Sequence, residues 1–405
     1  MFENIIAQGA VDQLRADVTG KRDVPSMLFF GPPCSGKGSA ALELSRVYSC
    51  EEKAAWKCAC PACEKHWILA HDDLLLLGSR GFSSDIHACR SSFLRNAQNQ
   101  GVKLLFYRSL RKVQLRFSPV VMENDSKTAK TVSSVLLALD EGLNDLLTLN
   151  TQTCEQKNLE KLSNSLVKDA LKLEEEGLSD SVPVGHIRSA SYWCRLAPNG
   201  KRKVLIIENA DNLRDDALNS LLKLLEEPPE TVSIILTAQR REAIMPTILS
   251  RVRPYRFLKR DIQSEKEVIR RVFQDTSEEG LAAYLESFLR QSSEKLQPLA
   301  DWFASSLKDC VQGRGVKSAS VIKEALSKSN NFKDISFSVF MKAALDSIIV
   351  FLRGANDRNI IAHFDLLKKY INDAVCAVDV YNISAVSALE ALFHKLKTDP
   401  RRYYG

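Results

Sequence analysis

A glycine-rich loop near the amino terminus has the spacing of a phosphate-binding loop. Gly31 and Gly36 are separated by four residues, and Lys37 follows directly. Glycines let backbone N–H groups face phosphate oxygens, and a lysine at this position reaches the β- and γ-phosphates. The loop lies between an apolar run at 27–30 and a predicted helix over 40–48. Because strand, loop and helix occur in this order, the sequence predicts a nucleotide-binding site or a site derived from one.

The position that should supply a magnesium ligand carries no side chain. A Ser or Thr normally follows the loop lysine and ligates Mg²⁺. Here Gly38 stands at that position, and Ser39 comes one residue late. A shift of one residue turns a side chain by about 100° around a helix. We therefore expect that Ser39 does not replace the missing ligand.

The acidic pair expected after a second strand is also altered. An Asp that holds Mg²⁺ and a Glu that orients the attacking water usually follow that strand. After the apolar run 204–207 this chain has Glu208 and Asn209. The longer arm of Glu208 could reach a metal, but Asn209 cannot act as a base. These changes predict weak or absent hydrolysis, in a loop that either binds nucleotide weakly or only shapes a turn.

Composition and charge place the chain among ordinary multidomain globular proteins. It has 405 residues, of which 45% are apolar and 26% charged, and its net charge is +6. This length fits two or three domains of about 100–200 residues. The mild positive charge permits a polyanionic partner without requiring one. No run of 18 uncharged apolar residues and no apolar signal segment occurs, so we expect a cytoplasmic protein without a membrane partner.

Predicted strands and helices alternate in two parts of the chain. The predicted strands are 27–30, 74–77, 204–207 and 232–236. Alternation over 25–75 and 200–260 predicts an α/β fold, in which a parallel sheet is covered by helices on both faces. Sheets of this kind bind nucleotides at the carboxyl ends of their strands. The glycine-rich loop would lie at that edge.

The rest of the chain is predicted to be helical. A mostly helical insertion occupies about 80–182 and separates the two α/β parts. Helical periodicity then runs from 261 to 397, with a possible linker around 313–315. The expected domains are 1–260, 261–315 and 316–405.

One stretch of the insertion, 88–116, is strongly basic. It contains seven cations and no acidic residue. The cations are Arg90, Arg95, Lys103, Arg108, Arg111, Lys112 and Arg116. A solvated helix face is the favoured interpretation, and contact with DNA or an acidic partner is the alternative.

Three segments together resemble subunits of bacterial DNA polymerase III clamp loaders. The run 219–229, NSLLKLLEEPP, looks like the NALLKxLEEPP element of clamp-loader ATPases. Residues 247–252 resemble their Ser-Arg-Cys motif, and residues 2–8 resemble their opening segment. The resemblance covers about 1–80 and 183–260 and is to subunits of the gamma/tau and delta-prime kind. It implies an AAA+ P-loop module with a helical lid, followed by an all-helical collar that forms a pentamer.

The resemblance also implies a role for Arg251. In clamp loaders the arginine of the Ser-Arg-Cys motif reaches the γ-phosphate bound by a neighbouring subunit, where it can lower the barrier to phosphoryl transfer. Arg251 matches that position, and Val252 replaces the cysteine without affecting the arginine. An ordinary surface arginine is the alternative interpretation. The polar sensor position of the family falls on Gln239.

Four of the ten cysteines are clustered after the predicted loop helix. Cys50, Cys58, Cys60 and Cys63 resemble the zinc module of the family, although spacers of eight, two and two residues are here seven, one and two. Four thiolates close a tetrahedral Zn²⁺ site, and such closed sites are structural. Free thiols, a site completed by His66 and a redox pair at Cys60 and Cys63 are the alternatives.

The altered nucleotide residues and the retained Arg251 favour a delta-prime-like subunit. Such a subunit helps to load the sliding clamp on primed DNA and supplies its arginine to a neighbouring ATPase. The expected partners are the other subunits of a hetero-pentamer, the clamp and primer-template DNA. The expected cofactors are Zn²⁺ and, weakly bound or lost at its own site, ATP with Mg²⁺. A gamma/tau-like ATP-hydrolysing motor and a stand-alone DNA-binding protein using 88–116 are the alternatives.

Overall fold

The chain forms two compact units. The computed structural model describes residues 1–20, 24–294, 297–311, 320–322, 337–354, 358–379 and 383–398. One unit comprises Met1–Glu286 and the other Ser287–Gly405. The possible linker at 313–315 and the expected boundary after 315 lie outside the described residues. The division into three domains therefore stays a prediction.

A five-stranded sheet organises the first unit. Its strands are β1 (Ser26–Phe30), β2 (Leu74–Leu77), β3 (Lys203–Ile207), β4 (Val232–Ala238) and β5 (Arg253–Arg256). The strand order is β2-β3-β4-β1-β5, and every neighbouring pair is parallel. Parallel strands require crossover connections, which the helices supply. The predicted α/β fold class with helical regions is confirmed.

The sheet is buried on both faces because alternate side chains point to opposite sides. Leu205 and Ile207 belong to one apolar core, whereas Val204 and Ile206 belong to the other. Leu28 joins the first core in the same way, while Met27 and Phe29 join the second. A strand covered on both sides reads as a continuous apolar run, which made β1, β3 and β4 predictable.

One of the two edge strands, β5, was not predicted from the sequence. Of its four residues, Arg253, Pro254, Tyr255 and Arg256, Tyr255 alone is buried. Pro254 lacks an N–H, and such residues are tolerated where a strand has a neighbour on one side only. The pattern therefore gives neither the apolar run nor the regular alternation that indicates a strand.

Helices surround the sheet in the first unit. They are α1 (Ala10–Thr19), α2 (Lys37–Ser49), α3 (Pro61–Trp67), α4 (Ser83–Arg95), α5 (Gln100–Leu115), α6 (Pro119–Met122), α7 (Ser126–Thr148), α8 (Gln156–Gly177), α9 (Val184–Arg195), α10 (Asp215–Glu226), α11 (Pro246–Leu249), α12 (Ile262–Val268) and α13 (Leu281–Glu294), the last of which continues into the second unit. Shorter helical turns occur at Ala210–Asn212, Arg241–Ala243 and Ile269–Phe273. Helices α4 to α8 form the insertion.

The two ends of the insertion are held together. The backbone N–H groups of Gly81 and Phe82 donate to Oε1 of Glu174, at 2.6 and 3.1 Å. Arg80 donates to backbone carbonyls near the end of α8, including that of Glu175 at 3.0 Å. Since the segment leaves and returns at one place, it interrupts the α/β fold without separating β2 from β3, which remain paired.

The insertion also contacts the segment after α12. Arg95, the last residue of α4, forms an ion pair with Asp275 at 2.9 Å. The amide groups of Asn96 and Asn99 both donate to Oε1 of Gln274, at 2.9 and 3.2 Å. The inserted helices thus connect the sheet to the start of the region predicted as a lid.

The second unit is helical where it is described. Its helices include α14 (Gln297–Val311), Phe337–Gly354, Arg358–Asp379 and Ala385–Thr398. Phe303 lies at the centre of their core, with ring centroids 5.2 Å from Phe340 and 6.0 Å from Phe393. The apolar face of the last helix is therefore buried within its own unit. Across the described residues, no helix combines the length and the hydropathy needed to cross a bilayer.

Candidate nucleotide and metal sites

Backbone geometry at the glycine-rich loop explains both of its spaced glycines. Gly31 has a φ of +152°, and a Cβ added there would lie 2.1 Å from the carbonyl oxygen of Phe257. Gly36 has a φ of +94° and is the residue before the first turn of α2. L-residues rarely adopt such angles, so glycine is required at both positions. The loop follows the carboxyl end of β1, as predicted.

The loop lysine is folded back onto its own loop. Nζ of Lys37 donates to the carbonyl oxygens of Gly31 and Pro32, at 2.6 and 2.7 Å, and lies 3.4 Å from Oγ of Ser35. Burial lowers the pKa of Lys37 to about 8, although the nearby Asp211 opposes this shift. The ammonium therefore already has acceptors in the place where a phosphate would compete for it.

A second cation, Arg260, binds the loop, and the sequence analysis did not predict it. Nη1 of Arg260 donates to the carbonyl of Cys34 at 2.5 Å, and its Nε donates to the carbonyl of Ile6 at 2.8 Å. A Cβ on Gly36 would lie 2.9 Å from Nη2 of the same guanidinium. Arg260 thereby joins the opening segment, the loop and the residues after β5. No local motif marks it, because these contacts join distant parts of the chain.

Glu208 lies where the sequence placed it but is already paired. Its backbone N–H donates to the carbonyl of Leu77 at 2.9 Å, which fixes it at the carboxyl ends of β2 and β3. One carboxylate oxygen would lie 3.2 Å from a Cβ on Gly38. The other accepts from Nη2 of Arg116, the residue after α5. Ser39 is exposed on α2. These residues do not fit the Mg²⁺ that the fold implies, because Gly38 offers no ligand and Glu208 is bound to a cation.

The other two predicted site positions lie at the same edge of the sheet. Asn209 has a φ of +52°, and its backbone N–H donates to Oγ1 of Thr237 at 3.2 Å. The backbone N–H of Gln239 donates to Oδ2 of Asp211 at 2.9 Å. The second oxygen of Asp211 is buried without a partner among the described residues. The strand ends thus bring together the loop lysine, Glu208 and Asp211, as expected for a doubly wound sheet.

Arg251 lies at the surface, at the end of α11. Its Nη1 donates to the carbonyl of Thr247 at 2.7 Å and to Oγ of Ser250 at 3.1 Å. Its Nη2 forms an ion pair with Glu226 at 2.8 Å, where the two side chains are 33% and 48% exposed. Among the described residues, none of its hydrogen bonds goes to the glycine-rich loop. The arginine is therefore partly exposed and paired with groups of its own surface.

The four clustered cysteines converge on one point. Their sulfur atoms all lie within 4.8 Å of one another. Sγ of Cys50 lies 3.7 Å from that of Cys58 and 3.9 Å from that of Cys60. Four sulfurs bound tetrahedrally at a zinc–sulfur distance of 2.3 Å would be about 3.8 Å apart. The cluster therefore fits a zinc ion, and His66 is not a member of it.

Two cationic side chains lie beside the cluster, and one of them donates to a sulfur atom. Nη1 of Arg46 donates to Sγ of Cys63 at 3.0 Å, and the same buried guanidinium pairs with Glu43 at 2.8 Å. Nζ of Lys201 donates to the carbonyl of Cys50 at 2.5 Å. Donors aimed at coordinating thiolates stabilise their charged form. The contact from Arg46 thus favours the thiolate form of Cys63, as a zinc ligand requires, although burial raises the pKa of that thiol.

The solvated helix face predicted for the stretch 88–116 is wrong. Lys103 donates to two carbonyls at the end of α7, both at 2.9 Å, and Arg108 donates to two carbonyls at the end of α3, at 2.9 and 2.7 Å. Carbonyl groups at helix ends attract cations. Nε of Arg90 donates to Oγ of Ser163 at 3.2 Å. Lys103 and Arg116 are buried and most of the other cations are half-buried, so the stretch does not form an open charged face.

The parallel sheet, the glycine-rich loop after β1 and the acid after β3 define a P-loop α/β module. The sequence profile of the family described as DNA polymerase III, delta subunit matches residues 6–261. Because that is more than half of the chain, this protein belongs to the DNA polymerase III delta subunit family. The predicted relation to AAA+ clamp-loader subunits is confirmed.

Individual relatives match shorter segments. The chain is 27% identical to DNA polymerase III subunit delta' of Bacillus subtilis over 156 residues, which are 37% of this chain and 44% of that protein. It is 32% identical to the delta' subunit of Pseudomonas aeruginosa over 98 residues, which are 24% and 30% of the two chains. The chain thus spans less than half the length of either relative. A gamma subunit-related protein of Thermotoga maritima is 17% identical over 55% of this chain and 80% of its own, with a TM-score of 0.29.

Proposed function

We propose that this chain is a delta-prime-like stator subunit of a clamp loader. It would act with other subunits to place a sliding clamp on primed DNA, without hydrolysing ATP at its own site. The observation that carries the proposal is the contrast between Arg251, which is presented at the surface, and the loop site, whose lysine and acid are both engaged internally. The chain would thus keep the arginine that assists a neighbouring site, while its own nucleotide site is blocked.

Arg251 would complete the site of a neighbouring subunit. A guanidinium that approaches a transferring phosphoryl group stabilises the charge that develops on it. To do so, Arg251 must exchange Glu226 for the neighbour's phosphate. Exposed ion pairs contribute only about 0–1 kcal/mol, so this exchange costs little. The ion pair with Glu226 would hold the arginine ready in the free subunit.

The cysteine cluster would serve as a structural zinc module. The ion would join the end of α2, which begins in the glycine-rich loop, to α3 through Cys50 and Cys63. Closed four-cysteine sites contribute folding free energy and keep no open coordination position. Zn²⁺ would therefore brace the loop helix and take no part in chemistry. The helical second unit would supply the contacts that hold the pentamer.

A stand-alone DNA-binding function has less support. It would use the cations of 88–116, but these are mostly occupied by carbonyl and carboxylate acceptors within the chain. A protein that binds DNA on its own neutralises phosphates with accessible cations. The gamma/tau-like motor remains the second candidate, because active motor subunits share the loop and the Arg251 motif.

ATPase assays of the assembled loader test the proposal. The chain would be combined with its clamp-loader partners as wild type, Arg251→Ala or Lys37→Ala. We expect Arg251→Ala to slow turnover at least tenfold, since arginine fingers contribute several orders of magnitude in related reactions. We expect Lys37→Ala to leave turnover within about twofold, since the own site is not hydrolytic. Arg241→Ala, another exposed arginine of the same unit, is the matched control.

The isolated chain supplies the second half of the test. As a stator it should show no ATP turnover above background. Turnover that Lys37→Ala abolishes would establish the motor function instead. An assembled loader that is indifferent to Arg251→Ala would remove the finger from the proposal.

A further inference from the structure

We infer that Arg116, from the inserted helices, occupies the position of the divalent cation at this nucleotide site. The guanidinium binds Glu208, the acid that would otherwise hold Mg²⁺, and so excludes the metal. Any nucleoside diphosphate or triphosphate that enters the crevice would bind without a divalent cation. The inference rests on the proposed function, because both assume that no ATP is hydrolysed in this crevice.

The guanidinium of Arg116 is held by two hydrogen bonds and an aromatic ring, while its buried Nε has no partner among the described residues. Nη2 donates to Oε2 of Glu208, and Nη1 donates to the carbonyl of Lys112 one helical turn earlier. The side chain is 1% exposed, and its guanidinium carbon lies 4.6 Å from the ring centroid of Phe82. A cation that is hydrogen-bonded to a carboxylate and stacked on an aromatic ring keeps one position. Arg116 is therefore a permanent part of the site.

The surroundings are shaped to admit this side chain. A Cβ on Gly78, which follows β2, would lie 3.2 Å from Nη2 and 3.3 Å from Nε of Arg116. Any larger residue at this position would press against the guanidinium. Gly78 thus leaves the space through which the insertion reaches the carboxyl ends of the strands. The cation comes from a different part of the chain than the acid that it meets, 92 positions away.

Electrostatics then disfavours a second cation at Glu208. An ion at the magnesium position would lie a few ångströms from a buried positive charge, and repulsion between charges at that distance is strong where water is excluded. The carboxylate would also have to give up a charge-assisted hydrogen bond. On its other side it faces Gly38, which has no ligand to offer. Metal binding would thus require the displacement of a buried arginine.

Binding of Mn²⁺ to the isolated full-length chain tests the inference. Mn²⁺ would be titrated with and without adenosine diphosphate and its bound fraction measured by electron paramagnetic resonance. The cysteine cluster does not compete, because soft thiolates select other metals. We expect wild type and Glu208→Gln to bind Mn²⁺ alike. In the presence of the nucleotide, we expect Arg116→Gln to bind Mn²⁺ at least tenfold more tightly than wild type. The double variant with Glu208→Gln should lose this tighter binding.

Two further variants separate charge from packing. Arg116→Lys keeps the positive charge and should exclude Mn²⁺ as wild type does. Arg111→Gln, on α5 and paired with Asp140 at 3.7 Å, is the matched control and should change nothing. The inference is overturned if wild type binds Mn²⁺ in a manner lost in Glu208→Gln, if Arg116→Gln binds it no tighter, or if Arg116→Lys behaves like Arg116→Gln.

The result stays decisive if Arg116→Gln does not fold. In that case the comparison of wild type with Glu208→Gln decides: equal Mn²⁺ binding supports the exclusion, and loss of binding contradicts it. Failure of the arginine finger in the assembled loader would leave these titrations unaffected, since they use the isolated chain and register a metal rather than turnover.

Discussion

The loop site and the Arg251 surface lie in the same α/β unit, but they hold their cations in opposite ways. At the loop site Lys37, Arg116 and Arg260 each have internal acceptors, and Arg116 and Arg260 are buried while Lys37 is half-buried. Arg251 keeps a third of its side chain exposed and pairs with an acid that is about half exposed. A cation that acts on another molecule must leave its own partner at little cost in free energy. A cation that replaces a metal must keep its position.

The energetic difference between the two places follows from burial. Release of an exposed ion pair costs about 0–1 kcal/mol, but removal of one partner from a buried pair costs about 3–5 kcal/mol. The cations of the loop site therefore contribute to the stability of the fold, whereas Arg251 can exchange its partner without affecting the fold. The comparison predicts that changes near the loop affect folding and that changes near Arg251 affect only the assembled complex.

Loss of the proposed zinc site at the cysteine cluster should have the largest effect. The cluster lies at the end of the loop helix, and structural zinc sites contribute folding free energy directly. We expect Cys60→Ser with Cys63→Ser, or a chelator, to lower the free energy of unfolding by several kcal/mol. Amide hydrogen exchange should speed up in 37–67 and stay unchanged in 246–256. Equal protection of both segments with and without metal would contradict the zinc module.

Replacement of Gly31 should come next in size. A Cβ there would lie 2.1 Å from the carbonyl of Phe257, at a φ of +152°. Since neither backbone segment can move without disturbing β1, we expect Gly31→Ala to cost roughly 3 kcal/mol or more of unfolding free energy. Gly9→Ala, where nothing lies within 4 Å of the added Cβ, is the control and should cost far less. Denaturant titration measures both, and a tolerated Gly31→Ala would show that the loop is not part of the rigid core.

The sequence predicts four of the five strands well and β5, one of the two edge strands, poorly. Strands β2, β3 and β4 are apolar runs flanked by turn signals, so their positions follow from composition within a few residues. Strand β5 does not, since Tyr255 is its single buried side chain. For the site, the strand topology was sufficient to predict that Lys37 and Glu208 lie at one edge of the sheet.

The partners of the cations, however, could not be predicted. The sequence gives the positions of Arg116 and Lys103 in the basic stretch, but it does not give the direction of their side chains. Direction depends on how α5 packs against α7 and the strand ends, and those contacts join residues tens of positions apart. Charge counting therefore favoured a solvated face, whereas in the structure Lys103 and Arg116 are buried against acceptors from other elements.

The smallest effect, and the most direct measure of the contrast, is the pH dependence contributed by Lys37. Its pKa falls from 10.5 to about 8 on folding because of burial. Between these values the unfolded chain binds more protons than the folded chain, so stability rises with pH across this window. Relative to Lys37→Met, the wild type should gain about 1 kcal/mol between pH 7.5 and 9.5, after allowance for partial exposure. Lys223→Met, at an exposed position on α10, should show no such change in denaturant titrations. A flat or falling difference for Lys37 would mean that the loop stabilises its charged lysine, as a working phosphate site would, and the contrast with Arg251 would be lost.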